Sequence, residues 1–428
     1  MQFEYGLDQR PPFLKSGLFG LQWAAIAISM VIILGRVVGG LHFSEPASQI
    51  VYLQKLLFIT GVTIFCQVLG GHRLPVISGP AAVLVIGVIA SQGFEIGTIY
   101  SSVMIGGLFV AGFATIGLFR YLQRLFTTRV VAVVLLLIAF ALSPTILNLM
   151  TDPKSGLSPL SNLTFAIALV LIMFLLYRTL PGIWKSTLII WSMILGSLFY
   201  FILFPESVAD DLFSNANLMS WFFSGLTIEL SFEPGVLISF IFCYLALSIN
   251  DLGSIQSMYE LLEPANMGRR VSRGITFTGL ANIAAGFFGV IGPVNFSLSP
   301  GIIMSTGCAS RSTLLPAAAM TGALAFFPLV ISFIGRVPSV VIGCVLCYIL
   351  TGQIAAGLMV VFQKVDGEHL RFEDCLIIAL PVLLGTVVAF LPTEVLDTLP
   401  VVLKPILGNA FVVGVVTALV LEHLVFRR

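Results

Sequence analysis

The sequence predicts an all-α polytopic membrane protein of about fourteen transmembrane segments, arranged as a seven-plus-seven inverted repeat with short extended stretches in spans 3 and 10. Three observations predict it. The 428 residues are 58% hydrophobic and only 10% charged, with a mean hydropathy of +1.07, far outside the soluble range. Uncharged runs such as Val130 to Met150 and Ser339 to Phe362 are long enough to cross a hydrocarbon layer of roughly 30 Å as helices. Two short, proline-broken segments fall at matching places in the two halves of the chain. The composition excludes a nucleic-acid binder, a secreted disulfide scaffold and a cytosolic enzyme. The net charge of +1 says nothing about partners.

The first sixteen residues carry Glu4, Asp8, Arg10 and Lys15 and read as a cytoplasmic tail with no cleavable signal peptide. Gly, Pro and charge punctuation then marks seven runs: Gly17 to Gly39, Gln49 to Leu69, Pro75 to Ser91, Ile96 to Leu118, Val130 to Met150, Leu163 to Tyr177 and Thr187 to Phe204. A polar stretch from Pro205 to Glu233 separates these from seven more. The second set is Val236 to Tyr259, Ile275 to Val290, Pro293 to Thr306, Thr313 to Ile334, Ser339 to Phe362, Cys375 to Leu391 and Val401 to Phe426. An even count puts both termini on one side. With the N-terminus cytoplasmic, sixteen Lys and Arg lie inside and only Arg36, Lys55, Lys154, Arg336 and Lys404 outside, the bias that the positive-inside rule requires. The acidic stretch with Glu206, Asp210, Asp211, Glu229 and Glu233 and no basic residue then belongs outside. A plasma membrane of a prokaryote is the expected location.

Two of the runs are too short and too broken to span as simple helices: Pro75-Val-Ile-Ser-Gly-Pro-Ala-Ala82 and Pro293-Val-Asn-Phe-Ser-Leu-Ser-Pro-Gly301. Each is the third of its half, and seven spans per half inverts one copy relative to the other. Matched interruptions in inverted halves mark a transporter site near the bilayer midplane, because extended backbone at that depth is tolerated only where protein or a wet cavity satisfies it. Gly79 before Pro80 and Ser299 before Pro300 read as helix starts with proline in the first turn. Two half-helices would then present free N–H groups and dipole charge to the centre. The plainer alternative is two continuous helices kinked by proline.

Placing the carboxylates in loops leaves one deep in a span, Asp251 in Ser248-Ile-Asn-Asp-Leu-Gly-Ser-Ile-Gln-Ser257. A charge at that depth costs on the order of 3 kcal/mol, so it is a functional hypothesis by default. Asn250, Ser254 and Ser257 surround it, and Ser254 shares a helix face with both Asn250 and Asp251. In one reading Asp251 binds substrate or exchanges a coupling proton; in the other it is a fixed counter-charge to the half-helix dipoles. Arg36, near the outer end of the first span, reads as a side chain that snorkels to the interface. The six cysteines sit in apolar segments and behave as small hydrophobes. Cys344-x-x-Cys347 lacks a second pair, and the four histidines lack metal-ligand spacing. No metal or other cofactor is implied.

The chain resembles the nucleobase/ascorbate transporters, which include uracil and xanthine permeases. The resemblance rests on Arg10-Pro-Pro-Phe-Leu, Gln22-Trp-Ala-Ala in the first span, Leu74-Pro-Val-Ile-Ser-Gly-Pro in the third and Asn250-Asp-Leu-Gly-Ser254 in the eighth. It continues through the glycine-rich stretch Gly279 to Phe288 and the tenth-span segment Pro293 to Gly301. It implies a core domain made of residues 1–126 (spans 1–4) and 234–336 (spans 8–11). The gate domain is then 127–233 (spans 5–7 with the outer loop) and 337–428 (spans 12–14). It further implies a homodimer in the lipid bilayer, a small-molecule substrate held between spans 3, 8 and 10, and a proton or sodium as coupling ion.

Several positions depart from the family. Asn250 stands where the family has its substrate-binding glutamate, Pro300 and Gly301 open the tenth-span signature, Cys308 takes roughly its threonine, and Ala82 lies near the span-3 aromatic. The candidate substrate residues are Gln22, Ser78, Gly79, Ala81, Ala82, Asn250, Asp251, Ser254, Asn295, Phe296, Ser299, Gly301 and Tyr348. Asn250 and Asn295 offer a donor and an acceptor to a lactam edge, and Phe296 or Tyr348 offers a ring to stack on. Asp251 is the candidate proton-coupling residue.

The function expected is secondary active transport of a nucleobase or similar small planar solute, as proton symport by alternating access. The alternative within the same fold is a small-anion transporter or an uncoupled facilitator, since two helix N-termini without the usual carboxylates suit an anion. An enzyme is not expected, because the spans hold no nucleophile with a base, no acid pair and no metal cluster. A receptor would need a structured soluble domain that loops under thirty residues long do not supply.

Overall fold

The computed structural model describes residues 3–117, 125–152, 158–205, 218–223, 230–362 and 371–426. Glu206, Asp210, Asp211 and Glu229 of the acidic outer stretch, and Lys154 among the outer basic residues, lie outside the described residues. The first half forms helices α1 (Phe13–His42), α2 (Pro46–Leu69), α3 (Ala82–Ala90), α4 (Ile96–Thr115), α5 (Thr128–Ala141), α6 (Ser143–Met150), α7 (Pro159–Thr179) and α8 (Leu188–Leu203). The second half forms α9 (Pro234–Leu262), α10 (Met267–Phe288), α11 (Ser299–Thr306), α12 (Leu314–Leu324), α13 (Pro328–Ile334), α14 (Ser339–Phe362), α15 (Phe372–Ala389) and α16 (Ala410–Val420). Among the described residues eight helices are long and apolar enough to cross a membrane, and a ninth if the bent pair α12–α13 is one span.

Val130 to Met150 crosses as one span, Thr128–Met150, in which α5 and α6 are separated only by Leu142, two residues ahead of Pro144. Other expected spans are interrupted. Thr313 to Ile334 bends by 100° between α12 and α13, where Pro328 opens the second piece. Val401 to Phe426 is shortened at its start: α16 begins only after Gly408, is capped by the Asn409 side chain, bonded to the N–H groups of Phe411 and Val412, and continues as a π-helix over Leu421–Val425. The ninth run begins earlier than expected, at Met267, so Arg269, Arg270 and Arg273 belong to the first turns of α10. Arg36 does not snorkel: its guanidinium donates to the carbonyls of Gly335 and Val337, closing the exposed end of α13.

Packing brings the halves together. α4 runs along α10, α2 along α12, and α1 along both α2 and α12. α14 lies against α5, α6 and α7, while α15 lies against α5 and α16. Small residues allow the closest crossings, the usual means by which membrane helices gain van der Waals contact without a hydrophobic drive between them. A Cβ on Gly107 of α4 would stand 2.7 Å from the Gly279 carbonyl of α10, and one on Gly61 of α2 would stand 2.6 Å from the Gly322 nitrogen of α12. Backbone atoms cannot retreat as a side chain tip does.

Gly112, one and a half turns beyond Gly107 on α4, has open space around it. Gly107→Val is therefore expected to lower the unfolding temperature of the purified protein, at a cost of about 1–3 kcal/mol or more from overpacking, while Gly112→Val leaves it near wild type. Equal melting of the two variants would contradict the α4–α10 contact.

Candidate functional site

The two proline-broken segments meet as an antiparallel pair of strands, β1 (Ser78–Pro80) and β2 (Pro293–Asn295), with Ser78 opposite Asn295 and Pro80 opposite Pro293. Both strands are fully buried. Buried backbone polar groups without partners cost as much as lost hydrogen bonds, so the atoms around the pair can be accounted for one by one. Backbone partners serve two N–H groups: Phe296 donates to the Ile77 carbonyl (2.8 Å) and Ala81 to the Gly292 carbonyl (3.0 Å). Side chains serve the rest of this set. The N–H of Ile77 donates to Ser299 Oγ (3.1 Å), that of Ile291 to the Tyr52 hydroxyl (3.1 Å) and that of Asn295 to Asp251 Oδ1 (2.9 Å), and the Pro293 carbonyl accepts from Asn282 Nδ2 (2.8 Å).

Helix starts differ from expectation for the same reason. Pro80 lies in the strand rather than in the first turn of α3, which begins at Ala82 after Ala81, and no side chain caps it. Ser299 does not cap α11; its hydroxyl donates to the Phe296 carbonyl and accepts from Ile77 N–H. Pairing with the other strand has claimed the residues that would otherwise have capped the helices.

Asp251, on α9, is wholly buried, and both of its carboxylate oxygens accept hydrogen bonds. Oδ1 receives the backbone N–H and the Nδ2–H (2.7 Å) of Asn295, and Oδ2 receives the hydroxyl of Thr278 on α10 (2.8 Å). Three donors are the arrangement that holds a carboxylate in place of water. Asn295 is used up in turn, its Oδ1 accepting from Ser78 Oγ at 2.6 Å. Behind Thr278 stands Gln67 of α2, whose Nε2 donates to Thr278 Oγ1 (3.0 Å) and to the Gly274 carbonyl (2.9 Å). Asn282 accepts from the Tyr244 hydroxyl (2.9 Å) while its Nδ2 also donates to the Thr278 carbonyl. Asp251, Asn295, Thr278, Asn282, Gln67 and Ser78 thus form one connected buried network.

The other candidates divide by exposure. Gln22, Gly79, Ala81, Ser254 and Ser299 are buried, whereas Ala82, Asn250, Phe296 and Tyr348 are half-buried and Gly301 is exposed. Asn250 therefore leaves the side of α9 that carries Asp251, and Gly253, also exposed, lies one turn along from it. Ser254 donates to the Asn250 carbonyl (2.8 Å). The Phe296 ring lies on Gly79, where a Cβ would come within 2.7 Å of two ring carbons. The strand pair thus separates two faces, with Asp251 sealed on one and Phe296 on the other. Tyr348 sits apart with Phe174 and Tyr177 of α7, ring centres 5.4 and 6.3 Å away.

Asp251 is not the only buried acid. Asp374, at the start of α15, and Glu422, in the π-helical segment that continues α16, are also buried, and both pair with Arg129. Thr278, Asn282, Gln67, Tyr52 and Tyr244 were not singled out from the sequence, although Thr278 and Asn282, four residues apart in an otherwise apolar run, are spaced for one face. His72, in the turn between α2 and β1, is buried beside Asn295, and burial pulls its imidazole down to about 3. Its Nδ1 accepts from Leu74 N–H (3.0 Å). Arg270 closes that turn by donating to the His72 and Arg73 carbonyls.

Half-helices joined by buried strands within a bundle of apolar helices define an integral membrane protein of the permease class. The family model Xan_ur_permease, described as Permease family, matches residues 14–394, and the chain belongs to that family. It is 26% identical over 407 residues to the xanthine permease of Bacillus subtilis (strain 168), covering 92% of this chain and 89% of that one. It is also 26% identical over 445 residues to the xanthine permease XanP of Escherichia coli (strain K12), covering 98% and 93%. Among solved structures, the transmembrane domain of the cyanobacterium bicarbonate transporter BicA matches with a TM-score of 0.62 at 17% identity, over 90% of this chain and 98% of that one. The murine anion transporter Slc26a9, in its inward-facing state, matches with a TM-score of 0.58 at 11% identity, over 96% and 68%. At such identities the structural matches speak to the fold alone.

Two outcomes follow from the network. Asn282→Leu strands the Tyr244 hydroxyl and the Pro293 carbonyl, and is expected to cost about 1–3 kcal/mol for each orphaned group, read as a lower unfolding temperature; unchanged melting would contradict the assignment. His72 is held neutral in the fold, so its contribution to stability is intact above the unfolded imidazole value of roughly 6.5 and is lost as pH falls from there toward about 3. His72→Gln is expected to melt less steeply with acid between pH 6 and pH 4 than wild type. A parallel pH dependence of the two proteins would show that His72 is not the acid-sensitive group.

Proposed function

We propose that this permease is a secondary active transporter that carries a nucleobase or similar small planar solute together with a proton, by alternating access. The observation that carries the reading is family membership across nearly the whole chain, with xanthine permeases covering about nine-tenths or more of it. The buried strand pair supports it, since irregular backbone inside a bundle of spans marks the solute site of a transporter. On this reading all fourteen runs are spans, both termini are cytoplasmic, and the protein is a dimer. The contacts of α1–α4 with α9–α13 form the core, and those of α5–α8 with α14–α16 form the gate. The solute lies on the Phe296 face, against Ala82, Asn250 and Gly301, and the half-helix starts at Ala82 and Ser299 point toward it.

Asp251 couples the proton without touching the solute. Its carboxylate is turned into the network, and the neighbouring Asn250 side chain is left partly open. The competing reading, a small-anion transporter or an uncoupled facilitator, is favoured by the same fact, because the open face of α9 carries an amide where a base-binding carboxylate would stand.

Thermal-shift measurements on purified protein separate the two, since a ligand selective for the folded state raises apparent stability. Xanthine or uracil is expected to raise the melting temperature and to be accumulated by proteoliposomes under an inward proton gradient; a response to bicarbonate or sulfate alone would establish the anion reading. Asp251→Asn, which mimics the protonated acid, is expected to abolish accumulation while solute exchange persists. Accumulation at the wild-type level by that variant would remove Asp251 from the coupling role.

A further inference from the structure

The three groups that hold Asp251 are not chemically equivalent. The backbone N–H and the Nδ2–H of Asn295 can only donate, and Asn295 Oδ1 is turned away to Ser78. The third, the Thr278 hydroxyl, donates to Oδ2 in this structure while accepting from Gln67 Nε2. A hydroxyl has one hydrogen and two lone pairs. It alone among the three can reverse.

We infer that Thr278 is the positioning residue for proton coupling, its hydroxyl turning over so that Asp251 is held both as an anion and as an acid. This rests on the coupling role proposed for Asp251. When Oδ2 takes a proton from hydronium, releasing water, the new O–H needs an acceptor at once, because a buried polar hydrogen without one is costly. Thr278 Oγ1, 2.8 Å away, accepts from Gln67 Nε2 at 3.0 Å and more weakly from Asn295 Nδ2 at 3.4 Å, and the new O–H takes the place of that longer contact. The threonine hydrogen must then go elsewhere, and the Gly274 carbonyl, one turn back on α10, is the acceptor that a helical threonine uses. That carbonyl already accepts the helical N–H of Thr278 and Gln67 Nε2, so the threonine hydrogen joins them as a third, shared donor in the i−4 arrangement. Both bonds from Asn295 to Oδ1 survive the change, so β2 stays attached to α9 in either state.

The surroundings suit such a switch. The titratable groups of the elements around Asp251 are Cys243 and Tyr244 on α9, Tyr52 on α2, Tyr100 on α4 and His72 in the turn beside Asn295. Arg269, Arg270 and Arg273 lie in the opening turns of α10, and Arg270 is spent on the carbonyls of that turn. None of these is a second carboxylate, so Thr278 is the remaining partner able to answer a change at Oδ2.

The test compares Thr278→Val and Thr278→Ser, with Thr278→Ala in reserve should the valine fail to fold, in proteoliposomes given xanthine or uracil. The valine or alanine variant is expected to lose accumulation driven by a proton gradient about tenfold or more, the scale of one hydrogen bond to a charged group. Solute exchange without a gradient stays within about threefold of wild type, and serine, which keeps the hydroxyl, restores accumulation. A role in packing alone would lower accumulation and exchange together. Accumulation by the valine variant equal to wild type, failure of the serine variant to restore it, or parallel loss of both activities would each overturn the inference. If wild type itself shows exchange but no gradient-driven accumulation, the coupling reading falls and this one with it; a coupled wild type with an equally coupled valine variant overturns Thr278 alone.

Discussion

Six residues of strand buried among apolar helices impose the constraint on which everything else in this protein depends. In a bilayer there is no water to take up backbone hydrogen bonds, so a span that leaves helical geometry must be satisfied by protein. Here the two strands satisfy part of each other's demand, and the remainder is met by Ser299, Tyr52, Asn282 and Asp251. Each of these looks out of place in an apolar chain until its backbone partner is named.

Asp251 holds a special position among them because it is the member that bears charge. By accepting the Asn295 amide it does for β2 what a neighbouring strand would do, and by accepting Thr278 it ties that strand to α10. On the proposed reading, anchoring and coupling become one role: an ionised carboxylate fastens the strand strongly, and protonation weakens that hold without releasing it. A carboxylate that instead contacted the solute would have to be exposed to the site, and Asn250 occupies that face. In the function proposed, the solute and the proton act on opposite sides of the same pair of strands.

Much of this was legible in the sequence, because the strongest signals are local. Long uncharged runs, the two segments from Pro75 and Pro293, and the isolated Asp251 are visible without a partner in view. What escaped the sequence depends on distant residues. Gly79 and Ser299 look like helix caps until the opposite strand takes up their surroundings, which moves the first helix start to Ala82. The break at Phe327 was missed because the apolar pattern runs straight through it, and only the proline that follows marks the bend. Thr278 and Gln67 carry no charge, and nothing in their own stretches reveals that they converge on Asp251 from α10 and α2. Arg36, placed by the sequence at the lipid interface, closes carbonyls of a turn some three hundred residues away.

The most direct measurement is amide hydrogen exchange across residues 290–298 in wild type and Asp251→Ala, in nanodiscs. With the carboxylate present that segment is expected to exchange slowly, and its removal to speed exchange there about tenfold or more, the effect of losing one charge-assisted hydrogen bond, with α4 and α14 unchanged. Equal protection of the segment in both proteins would contradict the claim that Asp251 holds the strand.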